Sequence, residues 1–499
     1  MITIGIDSGT QSTKVICLDL EGGSVVAAAA ASYGLSDGLP SGPLEQHPEW
    51  WTGALGQALD ECMVQLGARR REVGAIAVSG QQHGLVALDA AGDVVRPAKL
   101  WCDTSSVPQC AEIEREFGGR GGLVELAGNA MLPGYTAPKI LWLKQNEPDN
   151  FARLATILLP HDYLNHWLTG VAAMEPGDAS GTALLDIRRR QWCQPLLRFI
   201  DPRLERMLPG LRPSASAIGE LKPELARRWG LPAGVLVASG GGDNMMGAIG
   251  TGNLLPGRVT ASFGTSGTLY AYADEPVVDP RGELAGFCDS SGGWLPLACT
   301  MNVTVATESA RKLFALDLTD FEQAVRGAPP GADGLLMLPY LNGERTPDLP
   351  HGCGVLHGIT TRNLTPANLA RAALEGATLG LAYCLGRFRE QGLAPAEIRL
   401  TGGGANSPAW RQIAADIFGV ETVAPEAAEA AALGAALQAA WCRESDQPPR
   451  RRLAELAAAH VRLDEGTRCQ PEPEAGAVYC DLIAQFNQLT TDLARGGHL

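Results

Sequence analysis

The same local pattern occurs twice in this sequence, half a chain apart. Ile2-Thr-Ile-Gly-Ile-Asp7-Ser-Gly9-Thr10-Gln-Ser-Thr13-Lys14-Val-Ile-Cys-Leu reads as strand, Gly-Thr turn, strand, and Arg258-Val-Thr-Ala-Ser-Phe-Gly264-Thr265-Ser-Gly-Thr268-Leu-Tyr-Ala-Tyr272 repeats that order. Other pieces recur in step. The apolar residues 73–79 run into Gly80 and then Gln81-Gln82-His83-Gly84, while residues 398–401 run into Gly402-Gly403-Gly404 and then Ala405-Asn406. Each half continues with another strand and a helix of small residues, over 235–250 in the first and 421–440 in the second. A period as long as a domain means duplication rather than a solenoid. The expectation is an α/β protein of two duplicated domains, 1–249 and 250–499, joined near residues 250–257 and facing each other across an interdomain cleft.

The copies differ where they carry acid. Asp7 of the first hairpin is matched by Ser262 of the second, and the turn Gly240-Gly241-Gly242-Asp243-Asn244 is matched by Gly402-Gly403-Gly404-Ala405-Asn406. A single cleft with carboxylates on one wall and neutral donors on the other follows better than two alike. Asp243 stands where a strand and three glycines give way to a helix, which suits either a helix N-cap or a carboxylate presented to a ligand.

Two carboxylates beside Gly-Thr hairpins are the parts needed for phosphoryl transfer from a nucleotide, where catalysis is mostly positioning and charge neutralisation. Asp7 suits the Mg²⁺ role, as a hard oxygen ligand acting through water, and Asp243 suits the base that takes the acceptor's proton. Gly9, Thr10 and Thr13 at the first hairpin, and Gly264 and Thr265 at the second, offer N–H groups and hydroxyls to phosphates. Lys14 fits a phosphate contact or a solvated strand face equally. Gly403 and Gly404 would let backbone lie against an adenine or ribose, with Asn406 as a polar contact. No Gly-x-x-x-x-Gly-Lys-[Ser/Thr] occurs, and no Gly-x-Gly-x-x-Gly follows a strand, so neither a P-loop nor a dinucleotide fold is indicated.

A net charge of −15 and a pI near 5.1 argue against nucleic acid or an anionic membrane as partner. Twelve cysteines without a Cys-x-x-Cys pair suggest neither zinc nor a disulfide framework, and a reducing compartment is the simplest reading. Strand-like sequence begins at Ile2 and no apolar run reaches a membrane span, so a cytoplasmic protein is expected. Trp50 and Trp51 are expected in the core on one amphipathic helix, residues 150–169 and 196–212 as helical excursions, and the tail from 475 as a docked helix. Glu344 and Arg345 read as a structural ion pair, and His161 and His166, five apart, as unrelated residues.

Longer motifs carry a resemblance. Gly134-Tyr-Thr-Ala-Pro-Lys139-Ile-Leu-Trp142, the stretch from Gly354-Val-Leu-His-Gly-Ile359 to Leu374-Glu375, Pro339-Tyr-Leu-Asn-Gly-Glu344-Arg345-Thr-Pro347 and the triple-Gly Asp-Asn turn resemble the FGGY family of carbohydrate kinases, over nearly the whole chain. The resemblance implies the actin-like ATPase (ribonuclease H-like) fold and an ATP- and Mg²⁺-dependent kinase. It implies phosphorylation of the C5 hydroxyl of D-xylulose, the alternatives being ribulose, another ketose or a polyol. It makes Asp243 the proton acceptor and Asp7 the metal-phosphate carboxylate, with Gln82, His83, Trp101, Asp103 and Asn244 around the sugar. Two departures stand out: Gln81-Gln82-His83-Gly84 where bacterial members often read Gln-Met-His-Gly, and no arginine shortly after Asp103. A homodimer is compatible with the family but not specified by the sequence. A non-enzymatic nucleotide-driven clamp, as in other branches of the fold, is the reading from another class; Gln82-His83 and the short tail weigh against it.

Overall fold

The computed structural model describes residues 1–34, 44–445 and 452–499. In the first half, β1 (Ile2–Ser8), β2 (Ser12–Asp19) and β3 (Ser24–Ser32) form an antiparallel meander. α1 (Pro48–Leu66) follows, and its apolar side packs Trp51, Leu55 and Leu59 beneath the meander. Then β4 (Val73–Gly80) adds parallel to β1, and β5 (Ala217–Glu220) and β6 (Leu236–Ala238) complete a sheet ordered β3-β2-β1-β4-β6-β5. α2 (Asp243–Gly250) leaves this sheet.

The second half repeats the order of the inner strands. β7 (Arg258–Phe263), β8 (Gly267–Ala271) and β9 (Leu297–Thr300) form a meander, β10 (Glu397–Thr401) adds parallel to β7, and β11 (Glu421–Pro425) and β12 (Leu463–Cys469) follow, giving β9-β8-β7-β10-β11-β12. α3 (Pro366–Glu390) packs behind this sheet with Phe263, Leu338, Leu381 and Phe388 in one core. The registers match as well: Asp7 pairs with Lys14 and Ser79, and Ser262 pairs with Thr268 and Thr401. The two-domain α/β duplication expected from the repeat is therefore present in the order, direction and register of the inner strands, while the edge strand differs: β5 precedes β6 in the chain, whereas β12 follows β11.

One helix crosses between the sheets. α4 (Ala430–Ser445), from the second half, lies on β1 and β4 of the first and packs along α2. The contact is made by backbone: a Cβ on Gly5 would stand 1.9 Å from the Ala432 carbonyl oxygen, on Gly250 1.7 Å from that of Ala430, and on Gly434 1.8 Å from that of Met246. Only glycine permits this approach, which the composition of the two helices allowed but did not declare.

Local expectations need adjustment. Trp51 is buried but Trp50 is half-exposed, because neighbouring positions on a helix face different ways. Residues 150–169 contain a short strand, Thr156–Leu158, between two helices. α5 (Pro473–Arg495) is docked as expected, with Tyr479 bonding Glu375 at 2.7 Å and Arg371 at 2.8 Å. No helix among the described residues is long and apolar enough to cross a membrane.

Candidate active site

A cavity of about 250 Å³ opens where the two sheets face each other. Asp7 from the end of β1 and Asp243 and Asn244 from the start of α2 form one wall. Ser262, Thr268, Thr401 and Gly402 form the other, and Glu429 with the first residues of α4 closes the floor. Matched register positions of the two copies thus meet across the gap, acid on one side and hydroxyl on the other.

Asp243 is not a helix cap. The N-cap is Gly242, and among the described residues the Asp243 carboxylate accepts hydrogen bonds from its neighbour, through Asn244 N (2.8 Å) and Asn244 Nδ2 (3.0 Å). Burial, and after it the negative charge of Asp7, push it up to about 7. Asp7 accepts from Ser79 Oγ at 2.9 Å and is also raised by burial, with Ser79 and Lys14 pulling the other way. Two carboxylates in one cavity, each disfavoured as an anion, form a donor set that a hard cation would relieve.

Behind Asp243 runs a polar chain. Asn244 Nδ2 donates to Gln82 Oε1 (2.9 Å), Gln82 Nε2 reaches Asp178 Oδ1 (3.4 Å), and Asp178 Oδ2 meets His161 Nδ1 (2.6 Å). Burial opposes a charge on His161, but Asp162 and Asp178 on its two sides outweigh it and raise the imidazole to about 9. His161 and His166 are unrelated, as expected: His161 is held by its neighbour Asp162 and by Asp178 from another helix.

His83 has a left-handed backbone (φ 65°), and its ring packs against Tyr135 (4.9 Å) and Phe287 (5.8 Å). Burial first, then Lys139 and Arg345, lower it to about 3, so it is a neutral imidazole. Trp101 Nε1 donates to Thr10 Oγ1 at 3.0 Å, which ties that indole to the first hairpin. Asp243 and Asn244 thus line the cavity with Gln82 behind them, His83 follows Gln82 in the chain with its ring against Tyr135 and Phe287, and Trp101 sits beside the hairpin tip.

Other expected residues are placed differently. Asp103 is buried with both oxygens taken, by Leu44 N (2.9 Å), Ser105 and Lys99 (3.4 Å), so it braces the turn after Trp101 and is not offered to a sugar. Thr13 is buried against Ser8 (3.0 Å) and Tyr33 (3.4 Å), leaving no hydroxyl for a phosphate. Gly9 lends its carbonyl to Tyr33 (2.6 Å). Lys14 is neither free nor merely solvated: it joins the halves by an ion pair to Glu429 at 2.7 Å. The carbonyls of Gly264 and Thr265 hold Thr304 N and Val303 N (3.0 and 3.1 Å). Gly404 is buried where a Cβ would meet Phe263 and Trp410 at 2.9 Å, so it serves packing, whereas Gly403 has open space beside it and Asn406 is exposed. Tyr270, Glu429 and the start of α4 are cavity residues that sequence reasoning missed; the Ala-rich run announced a helix, not what it would face.

The paired-lobe cavity with its acid-bearing and acid-free walls fits what the comparisons find. Residues 2–250 match the N-terminal domain, and residues 259–442 the C-terminal domain, of the FGGY family of carbohydrate kinases. This chain belongs to the FGGY family. Among its relatives, the xylulose kinase of Haemophilus influenzae is 43% identical over 476 residues, spanning 94% of this chain and 95% of that one. The xylulose kinase of Streptomyces coelicolor is 40% identical over 444 residues, 88% and 87% of the two chains. The crystal structure of xylulose kinase from Bifidobacterium adolescentis superposes with a TM-score of 0.82 at 31% identity, covering 97% and 99% of the chains. As an FGGY kinase the chain is an ATP:sugar phosphotransferase of the two-domain kinase fold.

Proposed function

We propose that this FGGY kinase moves the γ-phosphoryl group of ATP to the C5 hydroxyl of D-xylulose, with Asp243 as general base. The observation that carries the reading is the meeting of Asp243 and Asp7, in one cavity, with a facing wall that has hydroxyls and no acid. The names of its relatives support the sugar. The C5 hydroxyl lies against Asp243, which takes its proton as the oxygen attacks Pγ; the new O–P bond forms as the Pγ–O bond to the β-phosphate breaks, and ADP leaves. Asn244 holds the Asp243 carboxylate through its N–H and amide, and Gln82 in turn accepts from the Asn244 amide and fixes it. Neutral His83 and Trp101 contact the sugar chain. On the other lobe, Gly264, Thr265, Gly403 and Asn406 line the nucleotide's path, and the acid-free wall admits phosphates without repelling them. Asp7, with Asp243 beside it, would hold Mg²⁺, which when bound neutralises phosphate charge. Residues 1–249 thus carry sugar and base and 250–499 the nucleotide, apart from the crossing of α4.

The test is ADP release with a panel of D-xylulose, D-ribulose, L-xylulose, glycerol and no sugar. D-xylulose should give the highest kcat/KM. A higher value with ribulose or glycerol would move the enzyme to a sibling activity, and turnover that no sugar stimulates would favour the nucleotide-driven clamp.

A further inference from the structure

Arg345 does not form the ion pair expected with Glu344. The Glu344 carboxylate is occupied instead by Met301 N (2.6 Å), Asn302 Nδ2 (3.3 Å) and the backbone N–H of Arg345 itself (2.8 Å). This clamps the turn after the strand Leu336–Pro339 onto the end of β9 and leaves the guanidinium to point elsewhere. Among the described residues no carboxylate lies within ion-pair distance of it. What it touches are the thiol of Cys299, Nη1 to Sγ 3.8 Å, and the ring of Trp101 on the opposite lobe, 5.9 Å from its centre. Its charge is also felt by His83, Tyr135 and Cys102, all first-lobe residues around the sugar side of the cleft.

A half-buried guanidinium whose direct contacts are a thiol and an indole, with the Glu344 charge felt but not paired to it, keeps N–H donors without a hydrogen-bond acceptor among the described residues. Its planar fork of N–H donors fits two adjacent oxygens on one ligand. With the reacting hydroxyl placed at Asp243 as proposed, a sugar that also reaches His83 and Trp101 brings its other end toward Arg345, which lies 5.9 Å from the Trp101 ring. In a ketopentose that end carries the C2 carbonyl with hydroxyls on either side.

We infer that Arg345 reaches across from the nucleotide-side lobe to donate hydrogen bonds to the C2 carbonyl of the ketose, and so makes the site select ketoses over the corresponding polyols. The inference rests on the proposed sugar site, and it gives the second lobe a direct hold on the acceptor substrate.

The experiment compares the unsubstituted protein with Arg345→Gln and Arg345→Lys, on D-xylulose and on D-arabitol, which has a hydroxyl in place of the C2 carbonyl. In Arg345→Gln the KM for D-xylulose should rise by about 10–100-fold, the scale of a lost hydrogen bond to a charged group, with the KM for ATP unchanged. The ratio of kcat/KM for D-xylulose over D-arabitol should fall by a similar factor. Arg345→Lys, which keeps charge and stem but loses the fork, should show a smaller loss in the same direction, and carries the test if the glutamine variant does not fold. An unchanged ratio, with both substrates impaired alike or neither impaired, overturns the inference and leaves Arg345 a structural residue. Absence of ketose-stimulated ADP release in the unsubstituted protein would instead remove the proposed function beneath it.

Discussion

Asp7 and Ser262 hold the same register position in two sheets of the same strand order, and they face each other across one cavity. The backbone of the two hairpins is therefore a shared scaffold, and the division of chemistry between the lobes is made by single side chains. The two Gly-Gly-Gly turns are not counterparts in the fold: Gly402-Gly403-Gly404 follows β10, which stands where β4 and Gly80 stand in the first half, whereas Asp243 opens α2, whose counterpart α4 opens at Ala430 with no acid at its first position. The two sheets have been made asymmetric by placing acid at only one of the matched hairpin positions, while Glu429 brings a carboxylate from the second half to the floor.

The sharpest way to break this comparison is to erase the acid that has no counterpart. Asp243→Asn should lower kcat by roughly 10²–10⁴, the range of a lost general base, while nucleotide affinity measured by equilibrium titration stays within a few-fold. The same variant has a stability signature. Asp243 is raised from 3.8 to about 7, so the stability tied to its protonated form is present below about 4 and lost as pH climbs through about 7. Asp243→Asn should therefore gain thermal stability over the parent at pH 8 and lose that advantage at pH 4. An equal gap at both pH values would mean that the carboxylate is not strained by its surroundings.

A converse substitution gives the second lobe the acid of the first. Ser262→Asp should raise the KM for ATP about tenfold or more, because a carboxylate would then face the phosphates in a confined site. Unchanged ATP affinity would show that the acid-free wall is not the phosphate wall. The smallest effect concerns pH. Activity should rise as pH climbs through about 7, as Asp243 ionises, and level off above it. In the residual activity of Asp7→Ser, loss of the neighbouring negative charge should move that acid limb to lower pH while most of the displacement remains, since burial is the larger cause.

Much of this was legible in sequence because it is local. The Gly-Thr hairpins, the triple-Gly turns and the small-residue helices announce themselves through period, turn residues and composition, and the unequal acids follow from laying one half on the other. What stayed hidden depends on which side chains pair once the chain is folded, with partners both near and far along it. Thr13 looked available until Tyr33 and Ser8 closed on its hydroxyl. Asp103 looked like a sugar ligand until Leu44, Lys99 and Ser105 claimed it. Lys14 finds Glu429 more than four hundred residues away, and His161 gains its charge from Asp178 and Asp162. Arg345 was paired on paper with its chain neighbour, whereas backbone amides had the stronger claim on Glu344.

The crossing of α2 and α4 has a mechanical meaning. With Gly5, Gly250 and Gly434 stripped of side chains, main chain bears directly on main chain, like an axle in a plain bearing with no teeth to ratchet. Added methyl groups there would act as wedges, prising the halves apart at the fulcrum and moving the mouth of the enzyme by far more than the width of the wedge. Residues that touch neither sugar nor nucleotide would then govern how completely the jaws shut.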